Sequence, residues 1–342
     1  MPSLITIGLP VHNGMPYLPE TMESVLRQRE PDFELLVIDD GSTDDSLAYL
    51  YSVHDTRVRV ISQTRRGLTA TLNRMLREAN TPWLMRHDAD DIAYPQRVRR
   101  TLEYIDRYPE AGMFYSLADY YSAGRRFGRF RTTQGTPDAL RQITQAGYLL
   151  AICHPAVTLN VQRAVAAGGY RFDLYVEDVD LWWRMALMHD IQFIPEVTVG
   201  VRHNFASSSA QRLRSQVLNA LYVQYLLISH LTGREPLPYD SVKGILGGLV
   251  NVPTLRFREE MRFANASVAA GDYWPAIGHV ARAFVVSPKA FIARTFYELH
   301  PNMTTRQGEK PEILANMSGL WEQPKTPAGS EPVRGGALLR YD

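Results

Sequence analysis

The chain has 342 residues, 45% of them hydrophobic, and Lys+Arg 37 against Asp+Glu 36 leaves a formal charge of +1. That length fills one large core or two domains, and the balanced charge selects neither nucleic acid nor an acidic partner. One cysteine, Cys153, excludes an internal disulfide framework and suits a reducing compartment.

The start, "MPSLITIGLP", lacks a basic region before a long apolar stretch and reads as a first strand ended by Pro10. "LPETMESVLRQ" has helical spacing, and "FELLVID" is the unbroken apolar run of a parallel strand buried on both faces. "STDDSLAYLYSV" reads as a helix capped by Ser42 or Thr43. "VRVIS" is a strand, "LTATLNRMLREA" a helix, "WLMRH" a fourth strand, and "YPQRVRRTLEYIDRY" a helix with Pro95 in its first turn. This alternation predicts an α/β fold with a mostly parallel sheet covered on both faces.

From Gly112 the pattern changes. Two strands turning near Gly124 precede the helix "PDALRQITQ", the strand "AICHPAVTLN" and the short helix "QRAVAAGG". The amphipathic helix "VDLWWRMALMHD" and the strand "IQFIPEVTVGV" close a sheet domain spanning 1–205. A helical extension is expected over 206–302, and a disordered tail over 303–342, where Pro, Gly, Glu and Lys show no period. No run of about 20 apolar residues offers a membrane span.

Each of the first four strands ends in a polar cluster: "PVHNG", "DDGS", "QTRRG" and "HDADD". Ligands of open parallel sheets bind beyond the strands' carboxyl ends, so the four should converge on one edge. No G-x-G-x-x-G follows the first strand and no G-x-x-x-x-G-K-[ST] occurs, so a nucleotide's phosphates need another partner. Asp88 and Asp90 supply one, because Mg²⁺ or Mn²⁺ takes one or two carboxylates and completes its shell with water and phosphate oxygens. The plainer alternative is that Asp90 or Asp91 caps the helix near Pro95. Asp40 and Ser42 shape a turn, while Asp39 is placed to accept from a ribose hydroxyl or a base. Arg65 and Arg66 either face a diphosphate or are simply solvated.

These segments, in order over residues 3–205, resemble a family 2 nucleotide-sugar glycosyltransferase. The segments are "TIGLPVHNGMPYLPETMESVLRQREPDFELLVIDDGSTDDS", "RGLTATLNRMLREANTPWLMRHDADDIAYPQRV" and "HPAVTLN…AAGGYRFDLYVEDVDLWWRMAL". The resemblance implies a GT-A fold: a Rossmann-like, mostly parallel mixed sheet flanked by helices, with a helical C-terminal extension. It implies a donor pocket at Pro10, His12, Asn13, Asp39, Arg65, Gly67 and Asp88, and a DxD motif in which Asp88 and Asp90 hold Mn²⁺ or Mg²⁺. Asp178 matches the catalytic base, and His203 a histidine near the metal. Glu177, Asp180 and His154 fall on the acceptor side. Trp182 and Trp183 are expected in the core.

The implied activity is inverting transfer of one sugar from a nucleoside-diphosphate sugar to a glycan or lipid-linked acceptor, in polysaccharide, glycolipid or cell-envelope synthesis. UDP is favoured, with GDP and dTDP open. A Q-x-x-R-W pattern and long spans, which polymerising synthases tend to carry, are lacking. A nucleotidyltransferase and a non-catalytic scaffold are the rivals. The first calls for a glycine-rich basic loop after strand one, the second for loss of Asp90 or Asp178. The expected setting is cytoplasmic, with "DYWPAIGHVARAFVVSPKAFIARTFYELHP" either at the membrane's inner face or packed on the sheet domain or a second subunit.

Overall fold

The computed structural model describes residues 3–30, 32–122, 125–172, 175–202, 213–299 and 307–321. Strands β1 (Ile5–Val11), β2 (Glu34–Asp40), β3 (Val58–Gln63) and β4 (Trp83–Arg86) lie parallel in the order β3-β2-β1-β4. Helices α1 (Leu18–Leu26), α2 (Ser46–Ser52) and α3 (Leu68–Glu78) connect them. Successive side chains of a strand face opposite sides. Thus Leu35 and Val37 join a core with Ile5, Ile7, Leu9 and α1, while Leu36 and Ile38 join another with Leu72, Met75 and Leu76 of α3.

Beyond β4 come β5 (Ile92–Ala93), α4 (Arg97–Arg107), β6 (Met113–Ser122), β7 (Arg125–Arg129), α5 (Pro137–Gln145), β8 (Val157–Asn160), α6 (Val161–Ala166), α7 (Glu177–Met188) and β9 (Ile191–Arg202). β8 runs antiparallel between β4 and β6, and β6 and β9 are parallel to each other, making a mixed sheet of nine strands. Trp182 and Trp183 are buried, as expected.

Three local expectations change. The first strand continues through Pro10 to Val11; β4 pairs only with Ile5–Gly8, so the missing proline N–H falls past that ladder. α2 starts at Ser46, and Ser42 instead accepts from the Asn13 N–H at 3.0 Å. The helix after Pro95 has Gln96 as its N-cap, so neither Asp90 nor Asp91 caps it.

The helical region comprises α8 (Leu213–Thr232), α9 (Tyr239–Gly247), α10 (Val252–Ala270), α11 (Tyr273–Val286) and α12 (Pro288–Leu299). α8 joins the sheet domain through Val223 and Leu227, which pack on Leu149, Val176 and Trp183. The tail departs from the disorder expected of it over residues 307–321. Gln307 exchanges backbone hydrogen bonds with Leu149, and helix α13 (Pro311–Ala315) seats Leu314, as Leu320 also is, against α8 and α9.

Candidate active site

The carboxyl ends of β1 to β4 bring the four polar clusters to one edge. At β1, His12 Nδ1 donates to the Asp40 carbonyl at 3.0 Å, which leaves Nε2 for a ligand. Asn13 (φ 54°) accepts from the Thr43 N–H at 2.8 Å through Oδ1. Its carbonyl oxygen therefore builds the loop before it meets a donor. Pro10 is buried in the β1–β2 ladder opposite Ile38.

At β2 the two acids divide the work. Asp40 accepts from Gln63 Nε2 at 2.7 Å, the Arg66 N–H at 2.8 Å and the Gly67 N–H at 2.9 Å, tying down the loop after β3. Asp39 is 1% exposed, and among the described residues its Oδ1 has no partner. A buried acceptor left unsatisfied costs about 1–3 kcal/mol, so this oxygen marks a place where a ligand donor belongs. Gly41 (φ 69°) and Gly67 (φ 90°) occupy the left-handed or extended positive-φ region, and a Cβ on Gly41 would meet the Arg65 backbone nitrogen at 2.8 Å. The Arg65 and Arg66 side chains are exposed.

The loop from β4 to β5 carries Asp88, Asp90 and Asp91, whose carboxylate oxygens lie within 4.8 Å of one another. Burial, then the Asp88 charge, raises Asp90 to about 6 and Asp91 well above the usual carboxylate range. Three hard oxygen ligands that repel one another suit Mg²⁺ or Mn²⁺. Asp91 Oδ2, buried and unpartnered among the described residues, fits the same reading. Asp91 was expected to serve the helix; instead its Oδ1 accepts from the Arg202 N–H at 2.8 Å, joining β9 to the cluster. Arg202 also donates through Nε to the Asp90 carbonyl at 2.7 Å and pairs with Glu20 at 2.5 Å. His203, one residue on, lies outside the described residues.

Two buried arginines brace this loop, and neither was anticipated. Arg86, at the end of β4, pairs with Asp88; burial opposes its charge, and the carboxylates outweigh that and raise its pKa. Arg97 donates to His87 Nδ1 at 2.8 Å, the Arg86 carbonyl at 2.7 Å and the Pro155 carbonyl at 2.6 Å. An arginine cannot accept, so His87 carries its proton on Nε2; burial, then Arg97, keeps that ring neutral. The signal was present in the sequence as a lone cation closing the strand "WLMR" just before three acids.

Asp178 lies in the first turn of α7. Burial raises its carboxyl to about 6 against backbone hydrogen bonding at Val179, and the charges of Arg86 and Asp88 act on it. It therefore shares one electrostatic neighbourhood with the acidic loop. A carboxylate of that pKa is ionised at neutral pH and more basic than an ordinary aspartate. His154 Nε2 shares a hydrogen bond with the Tyr170 hydroxyl at 3.0 Å, and burial, then Arg86, holds the ring neutral. Glu177 is buried beside Asp178.

Asp180 departs from the acceptor-side expectation. It is 0% exposed, and Arg171 grips it through Nε at 2.9 Å and Nη2 at 2.7 Å. Arg184 Nη2 adds a bond at 2.7 Å and Trp183 Nε1 one at 3.2 Å. All its acceptor capacity is spent internally, so it braces α7 against the Gly168–Gly169 corner, whose Gly169 carbonyl also accepts from Arg184 at 2.7 Å.

A family profile, "Glycosyl transferase family 2", matches residues 6–166. The chain is 28% identical over 255 residues to the uncharacterized Mycobacterium tuberculosis protein MT1568, covering 70% of this chain and 79% of that one. It is 26% identical over 190 residues to the amylovoran biosynthesis glycosyltransferase AmsE of Erwinia amylovora, covering 54% and 70%. Against Escherichia coli chondroitin synthase it is 34% identical over 129 residues, which is 37% of this chain and 18% of that enzyme's length. Among solved structures, Staphylococcus aureus TarS 1–349 in complex with UDP-GlcNAc superposes with a TM-score of 0.55 at 14% identity, covering 82% and 91%. The mannosyltransferase PcManGT of Pyrobaculum calidifontis, in complex with GDP-Man and Mn²⁺, gives 0.51 at 16% identity, covering 93% and 87%. At such identities the structures speak to the fold, which is the GT-A arrangement. Residues 6–166 are thus a family 2 glycosyltransferase domain, just under half of the chain.

Proposed function

We propose that the chain moves one sugar from a nucleoside-diphosphate sugar, a UDP-sugar in the first instance, to a hydroxyl of a glycan or lipid-linked acceptor, with inversion at the anomeric carbon. The observation that carries this is one sheet edge where Asp39 offers an unsatisfied buried oxygen and three carboxylates cluster, with Asp178 near enough to feel the charges of Arg86 and Asp88. TarS and PcManGT, solved with UDP-GlcNAc and with GDP-Man and Mn²⁺, support a nucleotide-sugar donor, and AmsE supports a role in polysaccharide synthesis.

Asp39 and His12 orient the nucleoside, and the Gly41–Arg65 contact fixes the loop against which the donor lies. Asp88, Asp90 and Asp91 would hold Mn²⁺ or Mg²⁺, whose chemistry when bound is to neutralise charge on the departing diphosphate. Asp178 takes the proton from the acceptor hydroxyl as that oxygen bonds to the anomeric carbon. The bond to the diphosphate breaks on the opposite face, and its electron pair leaves with the nucleoside diphosphate. One displacement inverts the centre.

The deciding experiment offers a panel of UDP-, GDP- and dTDP-sugars with Mn²⁺ or Mg²⁺ and reads nucleoside diphosphate release. Release from one donor, dependent on Asp178 and abolished by chelation, is the expected result. A chain that neither releases diphosphate nor gains thermal stability with any member would be a scaffold.

A further inference from the structure

The outer face of α11 and α12 carries a run of exposed apolar side chains. Trp274 is 85% exposed, Val285 77% and Ile292 64%, and Ile277, Phe284 and Phe296 are exposed with them. On α11 the positions 274, 277, 281, 284 and 285 follow helical spacing and form one stripe, while Ala276 and Ala283 are buried on the other side. On α12, Lys289, Ile292 and Phe296 share a face in the same way. Six large apolar side chains in water, across two adjoining helices, mark a surface built to be covered.

We infer that this face lies in the headgroup boundary of a bilayer containing anionic phospholipid. α11 has 14 residues, about 21 Å at 1.5 Å per residue, short of an apolar core of ~30 Å. The two helices meet at 114°, so neither continues the other across. Helices of this kind lie in the membrane plane. The charges choose the partner. Along α11 and α12 there are three bases, Arg282, Lys289 and Arg294, against one acid, Glu298, with Asp272 just ahead as the cap of α11. Glu260 pairs with Arg282 at 3.0 Å from the inner side, which leaves Lys289 on the apolar face with a stem long enough to reach lipid phosphates. A second copy of the chain would present the same excess of cations, which anionic lipid meets better.

The face is tied to the catalytic edge. Arg131 Nη2 donates to the Arg294 carbonyl at 2.9 Å, and α10 packs on β6, where Tyr121 stands in register with Arg202 of the acidic loop's brace. Delivery of the site to a lipid-borne acceptor rests on the transfer reading above; adsorption to lipid does not.

The test is flotation of the full chain with vesicles of phosphatidylglycerol and phosphatidylcholine in equal parts, against phosphatidylcholine alone. The wild type should float with the anionic vesicles, with its tryptophan emission quenched by brominated lipid. Ile277→Glu with Val285→Glu should weaken that binding about tenfold or more. Both positions point outward, so the melting midpoint and diphosphate release with a water-soluble acceptor should stay unchanged. A wild type that does not float overturns the inference. So does a wild-type dimer that the double variant turns into monomers, which would make the face a contact between copies.

Discussion

Asp180→Ala separates bracing from acceptor contact. The carboxylate is 0% exposed and accepts four hydrogen bonds, from Arg171, Arg184 and Trp183. Arg171 is 38% exposed at its side chain, so its share is screened and contributes about 0–1 kcal/mol. Arg184 is 6% exposed, and burial already lowers its pKa. Without Asp180 its guanidinium keeps only carbonyl acceptors, those of residue 180, Ala167 and Gly169. Removing one partner of a buried pair costs about 3–5 kcal/mol. At ~1.4 °C per kcal/mol for a chain of 342 residues, the melting midpoint should fall by about 4–7 °C. Asp180→Ala combined with Arg184→Met should recover much of this, because an apolar replacement of the whole pair leaves no buried charge. Scanning calorimetry on the three proteins gives the answer. A midpoint within about 1 °C of wild type, with a rise in KM for acceptor, would refute the bracing role and restore Asp180 to the acceptor side.

Asp178→Asn should lower kcat by about a hundredfold to ten-thousandfold while the Kd for donor, read by calorimetry, stays within a few-fold. Because burial raises Asp178 to about 6, its base form is lost as pH falls through that value, so kcat at saturating donor and metal should drop about tenfold per unit below it and level off above. A profile flat through pH 6 would remove Asp178 from the proton transfer. Asp90→Ala should abolish Mn²⁺-dependent donor binding, seen as a flat metal titration. Arg202→Ala, which frees the Asp90 carbonyl and Glu20, should weaken Mn²⁺ affinity by about tenfold or more without moving the pH profile.

The donor half was readable because its signals are local. Within "ELLVIDD", Leu35 to Ile38 are apolar without a break since β2 is buried on both faces, and the acids at its end fall where parallel strands expose their carboxyl termini. Asp178 opening a helix was readable in the same way, while its role as a base came from the family resemblance and stands as a proposal. What escaped depends on contacts distant in sequence. Asp91 meets Arg202 across 111 positions, and nothing in "HDADD" tells that bond from a helix cap. Asp180 and Arg184 stand four apart on a helix, a readable pair, but only the packed structure shows that water is excluded from both. The ordered tail rests on Leu314 and Leu320 fitting a groove already made by α8 and α9, a condition no periodicity encodes.

β8 runs against the neighbour on each side of it, and that reversal has a use. β8 enters the sheet at the edge where β4, β6 and β9 leave it. Its approach, the turn His154–Ala156, therefore arrives among the exits of the others. Half of the working rim is built from departures and the other half partly from an arrival. On the transfer reading proposed above, that turn stands across β4 from the β1 to β3 strand ends and would meet the incoming hydroxyl, while Leu149, Leu150 and Ile152 ahead of it are buried and hold it in place.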